Sequence, residues 1–494
     1  MINNLVPSLR CLCSAHPIIR TSSRYLLVTM PFKVIIIGGG LAGNLLALGL
    51  NRNNIDVQVY ERSERHSTRE GLQIRLTAPA LEGMRTCLSK EQLMTIIRKF
   101  GPASEAKAEA PRVFHKDGKL LIDLSQFPAY DKNAPINRGL LRDLMADPLY
   151  DAGKLKYEAG FDRYEVLNAA TDDEMIRVWL ADGTHDDCDL LIGADGSYSK
   201  VNEQVGLNSI DYIPKHVAIT AKCDLPTSRF VKMSKTLVGG PIMTWADRKS
   251  FFFGVYRPKK HENDSSSKTD NANVQQVAFD EDLSSCMISL NIERHLLPPD
   301  LDKQSLDIQY DYMANCVKDW SPLYQEMVGV MRGAPLHIYR PRTAKRPPKN
   351  WRQKVQSKDS PELGHLRVWV LGDAMHAMLP PRGMGGNMAM LDAGQALPLI
   401  VDLAAKNNQE KRVSNAEIGK ALSAFENEMI PRSFEWVKKS GGDNFVPIDT
   451  NTLTGRLFFI VMGYWLNVVC AWTNIKQLFS NGLPEDKTPE FNMY

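Results

Sequence analysis

KVIIIGGGLAG, residues 33–43, decides the fold. Four β-branched residues in a row, Val34 to Ile37, predict a strand buried on both faces, because a strand with one wet face would alternate. The strand reading runs over 33–40, and 41–51 continues as an apolar helix. A second β-rich run, 55–60, stops at Glu61. Strand, glycine turn, helix and strand make a βαβ unit. Within it Gly38, Gly40 and Gly43 hold the GxGxxG spacing. The first glycine allows the tight turn, the second lets a pyrophosphate approach the backbone, and the third lets the helix lie close to the strand. Glu61 stands about twenty residues further on, where a carboxylate accepts hydrogen bonds from ribose hydroxyls. An acidic residue there favours a free 2′-hydroxyl, as in FAD or NAD, over NADP.

A second glycine-rich turn follows more than three hundred residues later. The run 368–371 reads as a strand ending in Gly372-Asp373. Pro380 and Pro381 come next, then Gly383, Gly385 and Gly386 ahead of a helix. A nicotinamide dinucleotide gives no reason to expect this. A flavin dinucleotide does, because its ribityl hydroxyls need an acceptor and its ring needs a cradle. Asp373 supplies the acceptor. The amides opening a helix near Gly385, Gly386 and Asn387 would face the pyrimidine edge, which gains negative charge on reduction. A third strand, 190–192, ends in Gly193-Ala194-Asp195-Gly196.

Composition narrows the rest. The 494 residues are 43% hydrophobic and 24% charged, enough for two or three domains with ample core. A formal net charge of +3 calls for no nucleic acid and no acidic partner. The 8 cysteines are scattered without a CxxC pair, so a metal site is not expected and the thiols read as reduced and intracellular. Residues 1–30 carry Arg10, Arg20 and Arg24 and no acidic residue, which loosely resembles an organelle transit peptide. The simpler reading, an unstructured extension before Met30, is preferred, with a cytoplasmic location. The uncharged stretch 457–475 is about as long as a membrane-crossing helix. Gly463, Asn467, Thr473 and Asn474 favour a membrane-contacting or packed helix over a true span.

Between the motif strands helical periodicity is weak, and β-type patterns prevail at 176–180, 217–225 and 236–256. Residues 259–276 are polar and read as a mobile surface insertion. Residues 341–361, with four prolines and many basic side chains, read as a solvated loop.

The motifs together resemble the FAD-dependent aromatic hydroxylase family, the single-component flavoprotein monooxygenases that include many fungal secondary-metabolite enzymes. That family shows GxGxxG near its start, GADGxxSxVR in mid-chain and GDAxHxxxPxxGxGxNxAxxDA later. The last is matched here by Gly372 to His376, Pro380, Gly383, Gly385, Asn387, Ala389, Asp392 and Ala393. LLIGADGSYSKVN matches the second through Val201 and departs at Asn202, where arginine is usual. The resemblance implies that Glu61 holds the adenosine ribose. It implies that Arg138, opening an RxxLxxxL helix with Leu141 and Met145, contacts the cofactor. Gly71 would let the chain pass beside the flavin, and Asp195 would shape a groove shared by FAD and NADPH. Asp373 would bind the flavin moiety and Gly386 would lie at the helix start by the ring. His376 belongs to the scaffold rather than to acid–base chemistry. No catalytic base is singled out.

The implied fold is α/β: a discontinuous Rossmann-like FAD-binding domain (31–206 and 362–440), an inserted β-sheet-rich substrate domain (207–361) and a C-terminal helical segment (441–494). The implied activity is FAD- and NAD(P)H-dependent monooxygenation. O2 would add an oxygen to a small aromatic or polyketide-type substrate through a flavin C4a-hydroperoxide. The substrate wall is expected at 217–256 and 287–297, facing Pro380 and Pro381. Alternatives are a flavin-dependent epoxidase or halogenase, a terpenoid oxidase at a membrane surface through 457–475, and a non-catalytic FAD-fold binding protein. A halogenase of the tryptophan type would carry WxWxIP, which is not found.

Overall fold

The strand of the opening motif, Lys33–Ile37, lies at the centre of a five-stranded parallel sheet. The computed structural model describes residues 31–65, 73–99, 111–123, 134–256, 284–407, 412–441 and 448–479. The expectations for 1–30, Gly71 and 259–276 lie outside the described residues. Across the sheet the order is Val368–Val370, Leu190–Gly193, Lys33–Ile37, Asp56–Tyr60 and Leu155–Lys156, every neighbouring pair parallel. Val34 stands opposite Leu190 on one side and Val57 on the other. Val34, Ile35 and Ile36 are fully buried, as a run of β-branched residues without alternation requires. The three strands that end in glycine motifs are consecutive in this order. Being parallel, they bring their carboxyl ends to one edge.

The helix Leu41–Arg52 is buried from Leu41 to Leu50, so it shows no polar face. Its core also takes in helices Ala78–Cys87 and Gly385–Lys406, and Phe161, Tyr164, Ile176 and Val178 of a three-stranded antiparallel sheet. Burying side chains of this size contributes roughly 1.5–3 kcal/mol each.

A second core forms under a seven-stranded sheet. Its order is Leu336–Tyr339, His216–Asp224, Ser285–Glu293, Lys249–Tyr256, Ile242–Ala246, Arg112–Phe114 and Leu120–Asp123. The expected β-type stretches 217–225 and 236–256 supply strands of this sheet, whereas 176–180 falls in the three-stranded antiparallel sheet. Two of its strands, Arg112–Phe114 and Leu120–Asp123, come from inside the stretch expected to be the first FAD-binding part. Residues 31–206 thus supply both sheets.

The weak helical periodicity of the middle misled in one place. Helices Leu306–Cys316 and Pro322–Met331 cover the seven-stranded sheet with Tyr310, Met313, Tyr324 and Met327, against Phe251, Ile288 and Leu290. Each is short, so few turns repeat. Their start signals were legible all the same: Ser305 and Ser321 cap them, and Pro322 occupies the first turn. The expected loop 341–361 is also corrected. Arg342–Ala344 pairs antiparallel with Ile210–Tyr212, and Trp351–Val355 is helical, with Trp351 and Arg352 buried. The C-terminal region is helical over Asn415–Lys439 and Leu453–Phe479.

Candidate cofactor site

Gly38 leaves the first strand with φ +108°, and a Cβ there would sit 2.3 Å from the Ala194 carbonyl oxygen. Only glycine permits both the turn and the contact. A Cβ on Gly43 would meet the Gly38 oxygen at 2.1 Å, so the helix rests on the strand end without room for a side chain. Gly40 is different in kind: among the described residues nothing lies within 4 Å of its Cβ position, and no side chain caps the helix that begins beside it. The backbone is open there to a ligand, with first-turn amides close by.

Glu61 ends the second strand and turns back onto the glycine loop. Its carboxylate accepts from Gly39 N at 2.8 Å and from Ser63 N at 2.8 Å. A carboxylate offers about four lone-pair positions, so capacity for hydroxyl donors remains.

Asp195 accepts from Ser199 Oγ at 2.5 Å and Val201 N at 3.4 Å. Burial holds its carboxyl above the ordinary range despite these bonds. Asn202, the departure from the family arginine, is buried two residues beyond Lys200. Its Nδ2 donates to Ala374 O at 2.7 Å and to Ser209 Oγ at 3.2 Å. The side chain thus ties the GADG turn to the Gly372-Asp373 turn. A guanidinium does reach the GADG loop, but from elsewhere. Arg342 Nη1 donates to Ser197 O at 2.8 Å, and its Cζ lies 3.8 Å and 4.0 Å from the Tyr198 and Tyr212 ring centroids. Pairing of 210–212 with 342–344 brings it there, and no spacing in the sequence signals this.

Asp373 follows Gly372, which has φ +60°, at the end of the strand Val368–Val370. Its Oδ1 is buried and has no hydrogen-bond partner among the described residues, and it lies 3.5 Å from the Cβ position of Gly385, the first residue of the helix Gly385–Lys406. An orphaned carboxylate oxygen is costly unless something outside the protein donates to it.

Gly386 is in the same first turn, but its Cα is pressed elsewhere: a Cβ would come within 2.4 Å of Ile74 Cδ1. Its glycine is thus explained by packing against the strand Gln73–Leu76. Asn387, named from the sequence only for its backbone, is the fastener of this corner. Its Nδ2 donates to Arg75 O at 2.8 Å and Gly383 O at 2.9 Å, and its Oδ1 accepts from Thr77 N at 2.7 Å. Arg138 opens the helix Arg138–Asp151 directly after Ala134–Asn137, the strand that pairs with Gln73–Leu76. The Asn137 side chain caps that helix at Gly139 N and Leu140 N. Gly71 lies outside the described residues.

Behind the edge, His376 Nε2 and Asp392 Oδ2 are 2.6 Å apart, both fully buried. Gly372 N donates to the same oxygen at 3.0 Å. Arg432 Nη2, from the distant helix Asn415–Lys439, donates to Asp392 Oδ1 at 2.8 Å. Burial alone would push the Asp392 carboxyl up, but His376 and Arg432 override it and hold it below its ordinary value. His376 is therefore a buried brace of the Gly372 turn. Arg432 was missed, since nothing in its local sequence connects it to position 392.

The residues brought to one edge are Gly38, Gly40, Glu61, Asp195, Asp373 and the helix start at Gly385. The open space at Gly40 and the unpartnered Asp373 oxygen fit a long dinucleotide running along the carboxyl ends of the strands.

Residues 31–282, just over half of the chain, match the family model described as "FAD binding domain". Among curated proteins, the chain is 26% identical over 410 residues to a chloroplastic zeaxanthin epoxidase of Oryza sativa subsp. japonica, covering 81% of this chain and 53% of that protein. It is 29% identical over 188 residues to an FAD-dependent monooxygenase of Sarocladium schorii, covering 35% of this chain and 39% of that one. The chain thus spans about half or less of the length of these relatives. Among solved structures, HpxO of Klebsiella pneumoniae, complexed with FAD and uric acid, superposes with TM-score 0.57 at 19% identity, covering 83% of this chain and 87% of that one. PqsL of P. aeruginosa in complex with 2-aminobenzoylacetate gives TM-score 0.56 at 16% identity, covering 83% and 94%. These last two likenesses concern the fold.

Proposed function

Because the chain belongs to the FAD-dependent aromatic hydroxylase family, with FAD as its cofactor, we propose that it is an NAD(P)H-dependent monooxygenase acting on a small aromatic or polyketide-type substrate. The observation that carries this reading is the buried Asp373 Oδ1, without a hydrogen-bond partner among the described residues, beside the start of the helix Gly385–Lys406. A hydroxyl-bearing chain is the chemistry that oxygen lacks, and ribityl hydroxyls supply it.

In this reading the open backbone at Gly40 and the helix behind it hold the pyrophosphate. Glu61 takes the adenosine ribose, Arg138 lines the cofactor, and Asp195 shapes the groove through which NAD(P)H enters. Bound FAD would supply the redox chemistry, carrying electrons from NAD(P)H to O2 so that one oxygen atom reaches the substrate. The protein's part is positional and electrostatic. The amino-terminal end of Gly385–Lys406 places partial positive charge where reduction would add negative charge. The His376–Asp392–Arg432 brace keeps the Gly372 turn rigid under it. The seven-stranded sheet, through 217–256 and 287–297, serves as the substrate wall, with Pro380 and Pro381 at the mouth.

This division makes the FAD-binding part a discontinuous Rossmann-like unit, 31–206 with 362–440, and 207–361 the inserted substrate part. The zeaxanthin epoxidase match, which runs over most of the chain, favours epoxidation as the second reading. Purification with measurement of the flavin spectrum, followed by NADPH oxidation under labelled oxygen, tests the proposal. Labelled product with stoichiometric NADPH use supports it. A chain that binds FAD and consumes NADPH with no substrate-dependent oxygen incorporation refutes the monooxygenase reading.

A further inference from the structure

The helix Leu453–Phe479 stands apart from the site and carries an observation of its own. It is fixed to the seven-stranded sheet rather than trailing from it. Thr450 N and Oγ1 both donate to Trp245 O, at 2.7 and 2.6 Å, and Asn451 Nδ2 donates to Asp247 Oδ1 at 3.0 Å. Asp247 also receives Lys116 Nζ at 3.1 Å and Trp320 Nε1 at 3.0 Å, so the hairpin turn, the link between the two covering helices and the chain entering Leu453–Phe479 share one knot. Among the described residues, a narrow stripe of the helix packs on the sheet. Phe459 is buried against Val113 and Ile122, Met462 and Leu466 join it, and the Cβ position of Gly463 is 3.7 Å from Leu121 O.

The opposite side is apolar and largely exposed. Leu457, Val461, Tyr464, Trp465, Val468 and Trp472 are each more than half exposed. With Phe458 and Ile460 at its flanks, this surface sweeps about 160° of the helix at ~100° per residue. A partner helix would contact a narrower seam, whereas a fluid apolar phase wets the whole arc. The arc carries tyrosine and two tryptophans, side chains that favour the boundary between acyl chains and headgroups. The stretch 457–475 has no charged residue, and Arg456 and Lys476 bound it, the sign that complements anionic headgroups. The helix Gly385–Lys406 is long and apolar enough to cross a membrane, but most of it is buried in the protein core.

We propose that Leu453–Phe479 lies on a lipid bilayer with this arc immersed, holding the seven-stranded sheet at the membrane surface. This rests on the exposed arc and not on the flavin reading, so either can fail alone.

The test is flotation of the FAD-loaded chain with vesicles of phosphatidylcholine alone and of phosphatidylcholine mixed with phosphatidylserine. The chain is expected to float with both, more with the mixed vesicles. Val461→Glu combined with Val468→Glu should lower the bound fraction by about tenfold or more, with the flavin spectrum unchanged. Quenching of tryptophan emission by brominated lipid in the unaltered chain reads insertion without relying on a variant. A chain that stays unbound with both vesicle types, a double variant that floats as well as the parent, or unquenched emission would overturn the proposal. So would a stable dimer in lipid-free buffer that the double variant splits, since a second copy would then cover the arc.

Discussion

Gly38 and Ala194, 156 positions apart, are in contact through backbone alone, with 2.3 Å between the Gly38 Cβ position and the Ala194 oxygen. The two motifs that looked independent in the sequence are therefore one surface. Gly38→Ala adds a methyl where backbone must move, at φ +108°, and is expected to destabilise the chain by about 2–4 kcal/mol. Thermal unfolding of the apo chain reads this. A loss of FAD affinity with an unchanged midpoint would contradict it.

Asp373→Ala separates holding the cofactor from holding the fold. Because Oδ1 has no hydrogen-bond partner among the described residues, the apo midpoint should stay the same or rise. FAD affinity should fall roughly 10- to 100-fold, the worth of a hydrogen bond to a charged group. Glu61→Ala should behave otherwise. Glu61 already accepts from Gly39 N and Ser63 N, so its removal should lower both the apo midpoint and the affinity. Fluorescence titration with FAD beside apo melting distinguishes the two patterns.

Asp392→Asn leaves the buried His376 and the partly buried Arg432 facing a neutral amide and should cost up to about 3–5 kcal/mol. The pH dependence follows the same group. Its carboxyl is held below the ordinary value in the fold, so its stabilisation is complete above that ordinary value and is lost as pH falls through the depressed one. Glu174 behaves likewise. Burial would raise it, but His365, Ala170 N and Asn415 hold it down at about 2. Denaturant melts should therefore show stability declining below about pH 4, with a shallower acid slope in Asp392→Asn. Asp195, raised by burial, runs the other way: its ionised form is disfavoured in the fold, so it takes stability away as pH climbs from the ordinary carboxylate range through the raised value.

Asn202→Arg restores the family residue and is expected to harm the protein. Asn202 is buried and donates to Ala374 O and Ser209 Oγ, and a guanidinium there would be overpacked by roughly 1–3 kcal/mol. Asn202→Ala should lose a similar amount by orphaning the Ala374 carbonyl. Arg342→Ala should leave the melt within about 1 kcal/mol, since a partly exposed cation–π pair is worth that little. Melting curves of the three variants settle the order.

Sequence alone determined the parts whose geometry is local. A run of Val34 to Ile37 buries itself whatever surrounds it, a GxGxxG turn needs its glycines within six residues, and Glu61 is placed by the length of one βαβ unit. The Gly372-Asp373 turn and the helix start at Gly385 were legible for the same reason. Only the tertiary structure decided what depends on chain segments far apart. It showed that Gly386 is small because Ile74 lies against it, and that Asn387 fastens Thr77 and Gly383. It showed that Arg432 pairs with Asp392 across two helices, and that Arg342 reaches Ser197 through a strand pairing hidden in an apparent loop. Side-chain spacing along a helix or strand records which face is buried. It does not record which distant element covers that face, because that is set by the packing of whole layers.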